Sequence, residues 1–321
     1  MGHGNTNVRI RVNLLIGCTA SGKSAVALAA ARQLGAELVS IDSMKIYRRM
    51  DIGTAKPTPE ERRDVFHHLI DIIEPFDQYN LGRFVGDADR AIRDIASRDL
   101  PVVAEGGSMM FVRGLLSGVF DGPAADPAFR RTLRERAERE GTPALHAELA
   151  QVDPEAAQRI HANDLRRIER ALEVYHLSGR PITELQTQWE QSCSQYDCRV
   201  VALRRPKEEV NRRINARVRQ MMVAGLPDEV RSLLAGPGGI GQQAAQAVGY
   251  AELIRHFHGE LSLDEAIEQI KIGTRRLAKS QRTWLRRIPD VRWVDATEAD
   301  ATETLADRVI AAWEETNHPP A

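Results

Sequence analysis

The sequence predicts an α/β fold, in which a parallel sheet carries a phosphate-binding loop and is interrupted by a helical insertion. Three observations predict it. Gly17-Cys18-Thr19-Ala20-Ser21-Gly22-Lys23-Ser24 fits the spacing of Gly, four free positions, Gly, Lys and a hydroxyl residue. Apolar strand-like runs alternate with helical periodicity on both sides of the chain's middle. Between about residues 119 and 196 the texture changes to short helices punctuated by Pro and Gly, with no strand signal until Val200.

The phosphate loop is supported by its flanks, because Val8 to Ile16 reads as a strand feeding it and Ala25 to Ala31 as a helix leaving it. Glycines let the backbone wrap an anion, N–H groups at the helix N-terminus point at that anion, and Lys23 adds a point charge. Ser24 is then placed for Mg²⁺. After Gly35, Glu37 to Ile41 reads as a second strand that delivers Asp42 and Ser43 to its carboxyl end, the edge where open α/β sheets bind ligands. A helix N-cap or Asx turn is the competing role for Asp42.

Asp51 to Pro57 is rich in turn formers and is expected to be an ordered loop over the site. His67-His68 has no further ligand at metal spacing, so a structural role is expected there. Leu81 to Arg98 places Phe84, Val85, Ala88, Ile92 and Ile95 on one helical face, and Pro101 to Ala104 follows as a strand. That strand runs into Glu105-Gly106-Gly107-Ser108, where glycines permit close approach of a ligand and a hydroxyl follows.

In the insertion, Asp126-Pro127, Thr142-Pro143 and Asp153-Pro154 each offer an N-cap followed by proline at the first helical position. Arg130 and Arg134, and Arg166 and Arg170, lie four apart and share helix faces, either to hold phosphates or as a salt-bridged surface. Val200 to Leu203 returns to strand, Pro206 to Val223 reads as a helix bearing Arg213, Arg217 and Arg219, and Gly225 ends it. Ala247-Val248-Gly249-Tyr250 suits base stacking or ordinary packing. Lys271 to Pro289 holds seven Lys and Arg and no acid, with Arg275, Lys279, Arg282 and Arg286 on one face. Val291 to Val294 reads as a last strand, Glu303 to Trp313 as a closing helix and Asn317 to Ala321 as a frayed tail.

A net charge of −1 excludes a globally basic nucleic-acid binder, so any such partner must be held by local patches. Cys18, Cys193 and Cys198 form no complete disulfide set and lack zinc spacing, which suits a reducing cytoplasm. No 18-residue apolar run occurs, so no membrane association is expected. Met1 to Thr6 fits a myristoylation start only formally and is expected to be a frayed end. A monomer is expected.

The loop Gly17 to Ser24, Ser40 to Met44, Tyr47, Met50 to Lys56, Gly106-Gly107-Ser108, Asn163-Asp164 with Arg167 and Arg170 to Glu173, Val248 to Tyr250 and Thr274 to Trp284 together closely resemble the tRNA dimethylallyltransferases. The resemblance spans nearly the whole chain. It implies a discontinuous P-loop NTPase-like core over 8–118 and 197–316, and an insertion over 119–196 that grips the tRNA anticodon stem. In that family a prenyl group moves from dimethylallyl diphosphate to N6 of adenosine 37 in tRNAs reading codons that begin with U, with Mg²⁺ assisting and no ATP split.

The resemblance also makes Asp42 the base and adds Thr19 and Arg217 to the catalytic set. It implies tRNA contacts from Asp42, Ser43, Met44, Lys45, Ser108, Arg130, Arg166, Arg167, Ile168, Glu169, Arg170, Val248, Gly249, Tyr250, Arg275 and Lys279. Several positions depart from the usual pattern: Cys18 for proline, Lys45 for glutamine, Ser108 for threonine, Phe111 for tyrosine, Glu105 for an apolar residue and Ser280 for a basic one. A prenyltransferase acting on free adenine nucleotides, a small-molecule kinase and a catalytically silent RNA-binding protein are the rival readings.

Overall fold

A computed structural model describes residues 9–118, 122–190 and 195–315. The expectations for Met1 to Thr6, Cys193 and Asn317 to Ala321 lie outside them. The described chain divides into two compact units, Met1–Leu116 with Ser194–Ala321, and Ser117–Cys193; the expected insertion was 119–196.

The first unit is built on a six-stranded parallel sheet in the order β3-β2-β4-β1-β5-β6. Its strands are β1 (Arg11–Gly17), β2 (Glu37–Ile41), β3 (His67–His68), β4 (Val102–Gly106), β5 (Asp197–Arg204) and β6 (Arg292–Asp295). β1 pairs with β4 on one side and β5 on the other, Leu15 lying opposite both Glu105 and Val201. Because successive side chains point to opposite faces, one strand feeds two cores. Val12, Leu14 and Ile16 enter one hydrophobic cluster and Leu15 the other; Val102 and Ala104 are likewise separated from Val103. Fully burying such an aliphatic side chain contributes about 1.5–3 kcal/mol.

Helix α1 (Lys23–Leu34) and the closing helix α15 (Thr302–Glu314) supply the second cluster, and the buried Trp313 of α15 donates from Nε1 to Leu14 O at 3.3 Å. The other face is covered chiefly by α3 (Leu81–Ser97), α10 (Lys207–Val223) and α14 (Leu263–Leu285). Shorter helices complete the unit: α2 (Pro59–Asp64), α4 (Met109–Ser117), α11 (Leu226–Ala235), α12 (Gln242–Ala245) and α13 (Tyr250–Phe257).

The second unit contains α5 (Pro127–Glu140), α6 (Thr142–Val152), α7 (Pro154–Arg159), α8 (Leu165–Ser178) and α9 (Ile182–Glu190) around its own core of Leu133, Leu145, Leu149, Ile168 and Leu172. Asp126 caps α5 by accepting from Ala128 N and Phe129 N, and Asp153 caps α7 by accepting from Ala156 N. Thr142 is not a cap: Gly141 takes that position, so Thr142 is the first residue of α6 and Pro143 the second.

Several boundaries shift. β1 starts at Arg11, and α1 starts at Lys23 because the left-handed Gly22 is its N-cap. β5 starts at Asp197, three residues before the apolar signal, since its N-terminal half is only partly buried and mixes polar residues into the ladder. β3 is a two-residue strand at the sheet edge, too short to carry a period of its own. Gly225, left-handed at φ 95°, separates α10 from α11.

Candidate active site at the carboxyl edge of the sheet

The phosphate loop runs from β1 into α1. Ala20 and Gly22 both take positive φ, 61° and 94°, which turns the chain into the helix. The first N–H groups of α1 have no partner within the helix, as at any helix start, and are presented to the solvent side of the loop. Carbonyls of the loop are held from behind, with Arg213 Nε donating to Ala20 O at 2.9 Å and Arg205 Nε to Ser21 O at 3.1 Å.

α10 sets its faces by helical spacing. Val210, Ile214 and Val218 are buried in the core, which turns Arg213, Arg217 and Gln220 toward the loop. With Ala20, Gly22, Lys23, Ser24, Ala25 and Ala216 these residues line a cleft of about 350 Å³. Burial pushes the Arg217 guanidinium's pKa down, and the Asp42 charge opposes that shift.

Asp42 leaves the end of β2. Its Oδ1 accepts from Met44 N at 2.8 Å and from Lys45 N at 3.3 Å, an Asx turn rather than a helix cap, since no helix starts there. Oδ2 carries no hydrogen bond among the described residues. One oxygen thus orients the carboxylate and the other is free to accept a proton. Ser43 N donates to Ser108 Oγ at 2.9 Å, which ties the ends of β2 and β4 together. Both glycines before Ser108 are demanded by close approach: a Cβ on Gly106 would lie 2.1 Å from Ile41 O, and one on Gly107 would lie 2.7 Å from Gly17 O.

Glu105 and Lys45 form a buried ion pair, Nζ to Oε1 2.8 Å, and Ser24 Oγ donates to Glu105 Oε2 at 3.2 Å. Burial raises the Glu105 pKa, but the ammoniums of Lys45 and Lys23 outweigh it and hold the carboxyl at about 2. Burial depresses Lys23, with Glu105 opposing and Lys45 adding to the depression. The Cys18 thiol is pushed up by burial.

The structure also brings in residues that local patterns did not signal. Gln281 of α14 accepts from Thr19 N at 2.8 Å and donates to Gly107 O at 2.8 Å, bridging the two loops. Glu229 of α11 accepts from the N–H groups of Asp51, Ile52 and Gly53 and from the Tyr250 hydroxyl at 2.5 Å. Lys56, almost fully buried, bridges Tyr47 O, Asp51 and Asp71. The Asp51 to Pro57 segment is therefore an ordered loop, held by partners distant in sequence. His68 Nε2 bonds Glu37 at 2.6 Å and His67 Nδ1 bonds Val65 O at 2.7 Å.

Several of the residues expected at RNA are engaged within the fold. Tyr250 is fully buried against Gly53, so packing replaces base stacking; Gly249 caps α13 and Val248 packs on the core. Ile168 lies inside the insertion's core and Glu169 is buried, so neither offers its side chain to RNA. Arg130 makes two 2.7 Å contacts to the fully buried Glu173, Arg170 contacts Glu173 at 2.6 Å, and Arg134 contacts Glu169 at 2.7 Å. These arginines are matched within the fold, whereas Arg166 and Arg167 stay exposed.

The basic face of α14 divides as well. Arg275 is engaged by Asn215, Arg282 is half-buried where its charge acts on Cys18, and Arg286 caps the helix end. Lys279 remains exposed and joins Arg276, Ser280, Thr283, Trp284 and Arg287 around a second cleft of about 420 Å³. Among the described residues no helix is long and apolar enough to cross a membrane.

Comparison with known proteins agrees with this geometry. Residues 10–74 match the isopentenyl transferase family. The chain is 46% identical over 300 residues to the tRNA dimethylallyltransferase of Anaeromyxobacter dehalogenans, covering 94% of this chain and 99% of that one. It is 44% identical to the tRNA dimethylallyltransferase of Syntrophobacter fumaroxidans, covering 96% and 89%. Its fold is similar to the crystal structure of a tRNA isopentenylpyrophosphate transferase from Bacillus halodurans, at TM-score 0.68, 35% identity and coverage of 95% and 97%. A eukaryotic dimethylallyltransferase caught acting on tRNA superposes at TM-score 0.80 with 25% identity, covering 93% and 77%. With residues 45–288 matching the IPP transferase family, most of the chain is accounted for, and the protein belongs to that family.

Proposed function

We infer that the protein transfers a dimethylallyl group from dimethylallyl diphosphate to N6 of the adenosine at position 37 of tRNAs reading codons that begin with U, releasing diphosphate. The observation that carries this reading is the pairing, at one sheet edge, of a carboxylate with a free oxygen and an anion-binding loop. Asp42 supplies the first and Gly17 to Ser24 the second.

The exocyclic amine of adenine is a weak nucleophile because its lone pair is delocalised into the ring. Attack on the allylic carbon forms the C–N bond while the C–O bond breaks, and the electron pair of that bond leaves on the diphosphate. The proton lost from N6 goes to Asp42 Oδ2. Lys23, Arg217 and the N–H groups of the first turn of α1 face the developing charge. The Thr19 hydroxyl has no partner among the described residues and is free for a phosphate oxygen, while its N–H is committed to Gln281.

Magnesium is expected from the resemblance. Ser24 Oγ and the Glu105 carboxylate are the hard oxygens such an ion takes. Lys45 Nζ already lies 2.8 Å from Glu105 Oε1 and 3.5 Å from Ser24 Oγ, so the set as it stands does not fit the ion.

The adenine must leave its stack to reach Asp42. The exposed cations Arg276, Lys279 and Arg287, with Trp284 beside them, suit RNA backbone and base contacts; Arg166 and Arg167 are the insertion's candidates for phosphates of the anticodon stem. The protein works as a monomer in the cytoplasm on this reading. Incubation with labelled dimethylallyl diphosphate and either an anticodon stem-loop or AMP tests it. Label is expected in the stem-loop alone, with ATP unconsumed. Label in AMP would move the acceptor to free nucleotides, and stoichiometric ADP release would favour the kinase.

A further inference from the structure

The Lys45–Glu105 pair has no part in the steps above, yet it stands at their centre. A fully paired surface lysine would be unremarkable, but Lys45 is 5% exposed and Glu105 3%. Taking both charges out of water is expensive, and burying such a pair rarely stabilises a fold over an apolar pair of the same size. β4 lies next to β1 in the sheet, and Glu105 at its carboxyl end accepts from the hydroxyl that closes the phosphate loop. In phosphate-loop NTPases a loop hydroxyl and a carboxylate from a neighbouring strand hold a divalent ion against the phosphates. Here an ammonium holds those two oxygens.

An ammonium has three N–H donors. Glu105 takes one at 2.8 Å, and Ser24 Oγ at 3.5 Å is at the outer limit of a second, which leaves donor capacity for a ligand oxygen. Lys23 lies close enough for its charge and that of Lys45 to repel, with Glu105 as the carboxylate they share. Lys23, Lys45 and Arg217 stand against Asp42 and Glu105, and three cations against two carboxylates leave positive charge facing the loop.

We propose that Lys45 is a resident cation of the diphosphate site, held by Glu105 beside Ser24 where a divalent ion would otherwise sit, and that donor binding in this protein is consequently weakly dependent on magnesium. The proposal rests on the reading of Gly17 to Ser24 as a diphosphate site. Glu105 is a positioning residue: it fixes the ammonium and touches no substrate.

Calorimetric titration of inorganic diphosphate into the full-length protein, with magnesium and with EDTA, tests it on three forms. In the wild type, removing magnesium is expected to weaken binding less than about tenfold, the lower end of what a hydrogen bond to a charged group contributes. The variant Lys45→Gln removes the ammonium and leaves the Glu105 carboxylate and Ser24 Oγ to an ion, and it should lose more than about tenfold without magnesium and recover with it. A wild-type loss of tenfold or more overturns the proposal whether or not the variant folds, as does a folded variant whose magnesium dependence equals the wild type's. Lys23→Ala serves a separate purpose: unchanged diphosphate affinity there would remove the diphosphate reading itself.

Discussion

The edge of the sheet and the helical insertion both bury charged residues, but they balance them differently. In the insertion, Glu173 is fully buried and receives Arg130, Arg170 and the N–H of Asp126, while Glu169 receives Arg134 and, at 3.6 Å, Arg130. Each buried acid is surrounded by donors that belong to the fold. At the sheet edge, Lys23, Lys45 and Arg217 face Asp42 and Glu105, and one oxygen of Asp42 has no donor among the described residues. Matched charge there would leave nothing for a substrate to do. The contrast teaches that a run of arginines in sequence reports structure when buried carboxylates answer it, and reports a ligand site when they do not.

The sharpest way to break this comparison is Lys23→Ala. At the sheet edge it should lower turnover by about 10²- to 10³-fold, the usual cost of losing one donor to a developing anion. Removing a cation that burial already disfavours should leave the melting temperature unchanged or raised. A variant that melts earlier and keeps its rate would place Lys23 among the structural cations.

Glu173→Gln makes the complementary test in the insertion. Its pKa is pulled below the usual range by Arg130 and Arg170 despite burial. Losing that charge should destabilise by about 2 kcal/mol, a buried charge-assisted network discounted for the partly exposed arginines. Prenyl transfer from a saturating donor to free stem-loop at low temperature should be little changed. Denaturant unfolding reads the first effect and single-turnover kinetics the second.

Acid sharpens the contrast further. The Glu105 pKa is depressed to about 2 in the fold from an ordinary value near 4.5, so its stabilisation is complete above pH 4.5 and is lost as pH falls through 2. Lys45→Gln/Glu105→Gln should therefore show a flatter loss of stability between those pH values than the wild type. Parallel curves would mean the pair titrates no differently folded and unfolded.

The smallest effect belongs to the exposed cations of α14. Neutralising Lys279 or Arg276 should weaken stem-loop binding at low salt and reduce the dependence of log affinity on log salt by about one each. Arg130→Gln should alter stability more than that slope. A salt slope unchanged in Lys279→Ala would assign the cleft to something other than RNA phosphates.

Local signals reached the loop, β1, α1, β2, β4 and the caps at Asp126 and Asp153, because each rests on neighbours within a few residues. The alternatives that local signals left open are those where a distant partner decides the role. Tyr250 looks like a stacking residue until Glu229 and Gly53 close over it. Arg130 looks like a phosphate ligand until α8 brings Glu173 across. Gln281 meets Thr19 across most of the chain, and no period within α14 reveals that. Arg170 and Glu173, three apart on one helix, gave a signal for the matched network that spacing alone could have raised.

Asp42 is where the two roles, turn former and base, meet in one side chain, and the single-turnover rate of Asp42→Asn separates them most directly. Asparagine keeps the Oδ1 that accepts from Met44 and Lys45 and replaces the free oxygen with an amide. Transfer of labelled dimethylallyl to the stem-loop should fall about 10²- to 10⁴-fold while melting temperature and RNA affinity hold. A wild-type transfer rate in a variant that melts earlier would contradict the account, leaving Asp42 a turn former and the proton without an acceptor.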